Sequence, residues 1–452
     1  MDGASSPRRR VVRRGISPAG SARDRRQAHW PLEVGSAKDI REPEVLRTRL
    51  LRPQVLRDPS EENRTSTWLE LFFDLCFVVA VAALAKGLHD DPTFGGALRF
   101  AAFFIPVWWA WMGFTWYATA FDNDDVVYRT TLLGAMLCIL WLAASVYGLY
   151  KGETSSFVLA YVAMKLLLVG LYARAWRDAA NVRQFAGMYA LGNAVGAMIW
   201  LSSLLVPVPG RYGIWALALL VELITPILAV GVAYRGTSYA PRVFHPEHIP
   251  ERYGLFTLIV LGESVLAVAA GTAGTGWYPT VVVTGVFGFV IAACIWWLYF
   301  DYVESSALGL GSRAAFFWGY GHLFVYASIA AFGVGIQLAI EGAAQPPELA
   351  SAVASAAGVP TGGGEGEYGA GARGILGISA AVYLLAISFI HWVNRHSLDD
   401  RVVFARLGTA AALVCLAVLG APLGPLALAA TLSLVLLALT AFETLYAARL
   451  PG

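Results

Sequence analysis

The chain has 452 residues, of which 57% are hydrophobic and only 14% charged, and its mean hydropathy is +0.59. Soluble domains carry about 25% charged residues, so this composition excludes an ordinary soluble protein. The 33 Lys and Arg nearly balance the 31 Asp and Glu, but 15 of these bases, against nine acids, precede Trp68. The four cysteines lie far apart in apolar runs, which excludes a disulfide framework or a CxxC metal site between sequence neighbours.

Residues 1 to 63 are the most basic part of the chain and are predicted to form a disordered cytoplasmic tail. Arginines cluster there among Pro and Ser, and without apolar periodicity the segment cannot offset the entropy cost of ordering. An export signal would need an apolar region of about 7–15 residues after its basic start, and none follows before Glu61 and Glu62. We expect the tail to be attracted to anionic lipid headgroups.

From Trp68 onward, twelve apolar stretches recur along the chain. Each is about 18–25 residues long, enough to cross a hydrocarbon core of about 30 Å as a helix. The stretches are continuous rather than alternating, which argues against strands, because an open sheet would leave backbone groups unpaired in lipid. The sequence therefore predicts an all-α integral membrane protein with about twelve transmembrane helices. Their centres lie near Val78, Trp109, Leu140, Leu166, Val195, Leu223, Leu261, Phe289, Ile329, Leu385, Leu413 and Val435.

Basic residues in the short loops predict the orientation, because cytoplasmic loops of membrane proteins carry the excess of Lys and Arg. Alternate loops satisfy this rule when the tail is inside, which predicts a multi-pass plasma-membrane protein with both termini in the cytoplasm. The longest outer loop, residues 342–373, is Gly-rich and expected to be flexible. The bases counted as inner are Arg129, Arg174, Arg177, Arg183, Arg235, Arg242, Arg252, Arg313, Arg395, Arg401, Arg406 and Arg449.

Matching residues suggest two parallel six-helix repeats, one over residues 64–236 and the other over residues 237–449. Arg129 and Arg313, which precede the third and ninth helices, are 184 positions apart, and other residue pairs show similar offsets. Because transporters are often built from two such halves, a repeat favours a transport function. Chance matching among Leu, Phe and Trp is the alternative.

Two acids open the first helix. Glu70 and Asp74 are four residues apart and so project from one face. Ionisable groups within a bilayer are costly and are therefore candidates for function. Two neighbouring carboxylates can share a proton or bind a cation. The alternative is a structural pair that caps the helix N-terminus and binds arginines from an inner loop.

The seventh helix contains the sharpest candidate, Glu263, within the segment ERYGLFTLIVLGESVLAV. Glu263 lies eleven residues, or about three turns, beyond Arg252, so both side chains are expected to point into the bundle from one face. Gly262 is expected to permit close approach of a neighbouring helix or ligand. The alternative is a neutral Glu263 that is hydrogen-bonded purely for packing.

His245 and His248 lie just before this helix, in the cluster HPEHIPE, and are weak candidates for zinc ligands. No HExxH motif is present, and two prolines disfavour one regular helix through the cluster. The segment is therefore expected to be an ordered lid or a helix start. Neither a metal nor any other cofactor is predicted.

Further polar side chains interrupt other apolar stretches. Lys165 is expected to need a partner, because an unpaired lysine at that depth would lose its proton, and Glu222 or Glu263 could supply it. Pro226 is expected to loosen the sixth helix beside Glu222. The other ionisable groups within the helices are Asp301, His322 and His391.

Four segments resemble the bacterial low temperature requirement protein A (LtrA) family: WLELFFDLCFVV in the first helix, FDNDDVVYR after the second, ERYGLFTLIVLGES in the seventh and WWLYFDY in the eighth. The resemblance covers residues 65 to 447 and implies a polytopic bacterial membrane protein of poorly defined activity. The basic tail lies outside it. The motif positions in this chain are Glu70, Asp74, Asp122, Asp125, Arg129, Glu251, Arg252, Gly262, Glu263 and Asp301.

These features favour a secondary transporter, or an ion- or proton-coupled permease, of unknown solute. Glu263 is then the central protonation or cation site, and Glu70, Asp74 and His322 line an inward-facing vestibule. No GxxxxGK[ST] motif is present, which argues against ATP drive within this chain. A small solute or a cation is the expected ligand, the lipid bilayer is the expected environment, and nucleic acid is not an expected partner.

Two alternatives to transport stay open at this point. In a membrane-embedded sensor or stress-response protein, the basic tail would bind anionic lipid or a cytoplasmic partner. In a membrane enzyme, the carboxylates and histidines would act at the cytoplasmic face, but no GxSxG or HExxH motif supplies a nucleophile and base at fixed spacing.

Overall fold

A computed structural model describes the fold over residues 52–56, 66–122, 124–233, 248–275, 277–302, 312–344, 368–393 and 400–447. Within these ranges, 12 helices are long and apolar enough to cross a membrane, which confirms the prediction of an all-α membrane protein. The helices are α1 (Trp68–Asp90), α2 (Phe94–Ala120), α3 (Val126–Tyr150), α4 (Ser155–Asp178), α5 (Arg183–Ser202), α6 (Gly210–Ala233), α7 (His248–Thr275), α8 (Pro279–Tyr302), α9 (Ser312–Ala343), α10 (Ala370–Val393), α11 (Asp400–Leu419) and α12 (Pro425–Ala447).

Polar side chains fix where several helices begin. Thr67 caps α1: its hydroxyl accepts a hydrogen bond from the backbone N–H of Glu70, and the Glu70 carboxylate accepts one from the backbone N–H of Thr67. Thr93 and Asp125 cap α2 and α3, each accepting a backbone N–H. The sixth helix stays continuous through Pro226, so the loosening expected there does not interrupt it.

The helices of the two predicted halves pack in a similar order. In the first half, α1 contacts α2 and α3, α3 contacts α4, and α4 contacts α5. In the second, α7 contacts α8 and α9, α9 contacts α10, and α10 contacts α11. The last helices differ, because α6 packs mainly on α5 whereas α12 packs mainly on α8. The two sets meet where α1 and α2 contact α7 and α9. The sequence repeat itself stays a prediction.

A short segment before the first helix packs on the bundle. Val55–Leu56 (β1) pairs antiparallel with Phe121–Asp122 (β2). The side chain of Gln54 is buried and accepts a hydrogen bond from a buried tyrosine hydroxyl. Residues 52–56 therefore contradict the disorder predicted for residues 1–63, because strand pairing and burial offset the entropy cost of ordering them. The rest of that tail lies outside the described residues.

Several arginines that were counted as loop residues lie inside helices instead. Arg174, Arg252 and Arg406 are buried within α4, α7 and α11, and each is paired with a carboxylate. They belong to the interior of the bundle and do not report which side of the membrane a loop occupies. The cytoplasmic placement of both termini stays a prediction that depends on the remaining bases.

Candidate functional site

A buried charge network joins α1 to α7 near the ends at which these helices begin. Asp74 and Arg252 form its central ion pair, with 2.5 Å between Asp74 Oδ1 and Arg252 Nη2. Arg252 Nη1 also lies 3.3 Å from Glu70 Oε1. All three side chains are at most 5% exposed. Because buried charges are tolerated only when they are paired, this network fixes the contact between the two helices.

Neighbouring polar groups extend the network. Trp111 of α2 donates from Nε1 to Asp74 Oδ1 over 2.8 Å. His248 Nε2 lies 3.5 Å from Glu70 Oε2, and its Nδ1 lies 3.0 Å from Thr119 Oγ1. Glu70 caps α1, and both Glu70 and Asp74 bind an arginine. This is the structural role considered above as the alternative to proton or cation binding. That arginine comes from α7 itself rather than from a loop.

Glu263 lies apart from this network, in a cavity of about 390 Å³ between α1, α7 and α9. Its side chain is half-buried and forms no hydrogen bond or ion pair with any described residue. A cavity of this volume has room for a small solute. The rest of the lining within the bundle is small or apolar: Ala82, Ala85, Leu266, Ala267, Ala270, Ala330, Gly333 and Val334.

Polar side chains gather at the mouth of this cavity, where α1 and α9 end. Lys86, His89 and Gln337 line the mouth. Lys86 Nζ lies 2.7 Å from Asp90 Oδ1, and His89 Nε2 lies 3.0 Å from Glu341 Oε2. Gln337 donates from Nε2 to Glu341 Oε1 over 2.8 Å. The basic groups of the mouth are thus each beside a carboxylate, whereas the carboxylate inside the cavity has no such partner among the described residues.

Close helix contact beside Glu263 comes from Gly333 and not from Gly262. A Cβ at Gly333 would lie 3.0 Å from Ser264 Cα, so α9 approaches α7 so closely that even a methyl group there would press on the α7 backbone. Ser264 Oγ also donates to the carbonyl oxygen of Ile329 over 3.0 Å. A Cβ at Gly262 would meet no described atom within 4 Å. The prediction that Gly262 permits close approach of a neighbouring helix is therefore wrong.

A second buried ion pair lies within the first six helices. Lys165 Nζ is 2.9 Å from Glu222 Oε2 and donates to Asn193 Oδ1 over 3.0 Å. Tyr161 and Trp200 donate to the two oxygens of Glu222. The cavity beside the pair, about 20 Å³, has room for about one water molecule. Glu222, and not Glu263, is therefore the partner of Lys165. Hydrogen bonds from Tyr161 and Trp200 to Glu222, and from Lys165 to Asn193, satisfy the pair with protein groups.

His322 belongs to an aromatic cluster. Its Nδ1 donates to the carbonyl oxygen of Trp318 over 2.8 Å, because a carbonyl can only accept, and its Nε2 accepts from Tyr299 Oη over 3.0 Å. The ring is fully buried and lines neither of the two cavities described above. Glu70 and Asp74 also line neither of these two cavities, and the inward-facing vestibule expected for the three residues stays a prediction.

The remaining predicted positions are scattered. Asp301 is exposed at the end of α8, and His391 is buried in α10. His248 is the first residue of α7, in accord with a helix start, and His245 lies outside the described residues. In the described part of the chain, no three His, Cys, Asp or Glu side chains lie close enough together to hold a metal ion.

Two buried ion pairs are absent from the sequence-based site. Arg406 of α11 donates from Nε and Nη2 to the two carboxylate oxygens of Glu443 in α12, over 2.8 and 2.6 Å. Arg174 binds Asp125, the residue that caps α3. The sequence does carry a signal for the pair of Arg406 and Glu443, because Glu443 is a lone acid within the last apolar stretch. An ionisable group inside a membrane helix is a candidate for function, as it is at Glu263.

Asp125 lies just outside the membrane-spanning helices. Burial alone would raise the pKa of its carboxyl group, but hydrogen bonds from Arg174 and from the backbone N–H groups of Tyr128 and Arg52 outweigh burial and lower that pKa below its usual range. The ionised carboxylate thereby ties the segment at Arg52 to α3 and α4.

These features define a polytopic α-helical membrane protein with a buried charge network and a carboxylate-bearing cavity between the same helices. The chain belongs to the family of the bacterial low temperature requirement A protein (LtrA), whose family model matches residues 65–441. This match confirms the resemblance carried by the four sequence segments. An uncharacterized protein of Rhizobium meliloti is 29% identical over 296 residues, which cover 62% of this chain and 71% of that relative.

Proposed function

We propose that the protein is a secondary transporter in which Glu263 binds a coupling proton or a cation within the cavity between α1, α7 and α9. The observation that carries this proposal is the carboxyl group without a partner among the described residues. An ionisable side chain inside a membrane helix costs free energy, and its usual justification is either pairing or function. A proton, an ion or a solute can supply the missing partner.

The depth of Glu263 suits a coupling role. It lies 15 residues after His248 and 12 residues before Thr275, the two ends of α7. At 1.5 Å per residue these separations are about 22 and 18 Å. Transporter sites commonly lie near the midplane, where a change of conformation can expose them to each side in turn.

The buried network can serve as the closed side of an alternating-access cycle. The ion pair of Asp74 and Arg252 connects α1 to α7, the first helices of the two predicted halves. Rocking of one half against the other would separate this pair and open a path to Glu263 from the network side. Closing the cavity at its Lys86 end would complete the exchange of access.

Proton movement into proteoliposomes tests the proposal. Vesicles filled with the pH indicator pyranine are exposed in turn to sugars, amino acids, organic anions, inorganic cations and organic cations. We expect at least one class to change the internal pH with the wild-type protein, and Glu263→Gln to abolish that change. Glu153→Gln, the same substitution at an exposed position between α3 and α4, should retain it. An unchanged signal in Glu263→Gln contradicts the proposal. If no class changes the internal pH, a sodium- or potassium-sensitive dye in the same vesicles measures coupling to a cation, and no signal with either dye contradicts the proposal.

A further inference from the structure

We propose that the solute is a hydrophobic organic cation that reaches the Glu263 cavity sideways from the lipid bilayer, between α1 and α7. This inference rests on the proposed function only in taking that cavity as the solute site.

The cavity is bordered by surfaces that face lipid. On α1, the exposed side chains of Leu75 and Val79 continue along the same face into Ala82 and Lys86, at intervals of four, three and four residues. Ala82 and Lys86 both line the cavity. On α7, Leu266 lines the cavity and is itself 63% exposed. Because residues of the lipid-facing surface form its rim, the cavity opens toward the hydrocarbon as well as toward its polar mouth.

The lining favours an apolar ligand body. Eight of the residues that surround Glu263 are alanine, glycine, leucine or valine. A sugar or another strongly hydrated solute would lose its hydrogen bonds to water without gaining partners there. An apolar body instead gains about 25 cal/mol for each Å² that it buries. The volume of about 390 Å³ also fits a hydrophobic molecule of several rings.

The charges select a cation. Glu263 brings a carboxyl group into the cavity, whereas the carboxyl groups of Asp90 and Glu341 lie at its mouth beside Lys86 and His89. Lys86 is already paired with Asp90, and His89 lies beside Glu341, so neither base supplies a counter-charge inside the cavity. A hydrophobic cation supplies that charge, whereas an anion of the same size would be repelled.

Three probe ions separate charge from hydrophobicity. Tetraphenylphosphonium is hydrophobic and positive, tetraphenylborate has the same shape with a negative charge, and tetramethylammonium is positive but small and hydrated. Binding is measured by equilibrium dialysis against the full-length protein in lipid nanodiscs, and empty nanodiscs correct for partition into lipid. We expect saturable binding of tetraphenylphosphonium only.

Variants of Glu263 test the site. Glu263→Gln should weaken tetraphenylphosphonium binding by about 10- to 100-fold, the loss expected when a charged partner is removed. Glu263→Asp keeps the charge and should keep most of the binding, and Glu153→Gln should bind as the wild type does. Equal binding by wild type and Glu263→Gln, or a preference for either of the other two ions, overturns the proposal. Unfolding midpoints show that each variant is folded.

The result can be told apart from that of the transport experiment. Binding of tetraphenylphosphonium that depends on Glu263, without proton or cation movement in vesicles, supports this ligand class and contradicts the transporter. Proton movement that depends on Glu263 and is driven by a sugar or an amino acid, without tetraphenylphosphonium binding, supports the transporter and overturns this ligand class.

Discussion

The helices α1 and α7 border each other in two regions that differ in almost every respect. In one region, Asp74 and Arg252 form a buried ion pair that Glu70 and Trp111 extend. In the other, the two helices stand apart around a cavity of about 390 Å³ that contains Glu263. Both regions place ionisable side chains within the membrane. Only in the first does the described protein itself supply the counter-charge.

This difference separates polar residues that stabilise the fold from polar residues that can bind a ligand. The pairs Lys165 with Glu222 and Arg406 with Glu443 follow the pattern of the first region, since each charge meets its opposite over less than 3 Å. Such pairs hold helices in register, and removing one member leaves a buried charge. Glu263 differs from these acids because no described residue pairs with its carboxyl group or donates a hydrogen bond to it, which leaves it for a ligand to bind.

The largest expected effect comes from breaking the paired region. Arg252→Met leaves the buried carboxylate of Asp74 without its ion-pair partner and should lower the free energy of unfolding by about 3–5 kcal/mol. Arg177→Met removes an arginine whose side chain is 68% exposed, and as a surface position it should cost about 1 kcal/mol or less. Chemical unfolding in detergent measures both variants. Equal midpoints for the two would mean that the network does not stabilise the α1–α7 contact.

A smaller effect distinguishes two glycines beside the cavity. Gly333→Ala places a Cβ 3.0 Å from the backbone of Ser264 and should destabilise the protein by about 1–3 kcal/mol through overpacking. Gly262→Ala places its Cβ in open space and should stabilise α7 by up to about 1 kcal/mol through helix propensity. The same unfolding measurement compares them. Equal effects of the two variants, or a loss of stability in Gly262→Ala alone, would refute the helix contact described beside Glu263.

The smallest effect on stability is expected at Glu263 itself. Because no described residue pairs with its carboxyl group, Glu263→Gln should change the free energy of unfolding by no more than about 0.5 kcal/mol. It should nevertheless abolish proton movement and weaken cation binding. A large destabilisation in Glu263→Gln would place this residue with the paired network and would remove the contrast between the two regions.

The sequence predicts the helices and the polar positions because both are local properties. Twelve apolar stretches identify the membrane spans, and Thr67 followed by Glu70 at the third position gives the capping box of α1. Acids such as Glu263 stand out because their neighbours in the chain are apolar. Each of these signals lies within one helix.

The partners are not local, and the sequence does not predict them reliably. Arg252 and Glu263 both border α1, yet only Arg252 meets an opposite charge on that helix. The depth at which two helices cross decides which side chains touch. Arg406 and Glu443 are 37 residues apart on separate helices. The cavity arises from small side chains on three helices, none of which is unusual within its own segment.

The central claim is that the Glu263 cavity is reachable from one side of the membrane at a time and that the Arg252 network closes the other side. Ala267 lines this cavity, and Ala267→Cys is made in a background without the four native cysteines. A membrane-impermeant thiol reagent then labels the variant in right-side-out and in inverted vesicles. We predict labelling from the Lys86 side alone in the otherwise wild-type protein, and from both sides when Arg252→Met is added. Labelling from the network side while Arg252 is present, or no change of sidedness after Arg252→Met, would contradict the account.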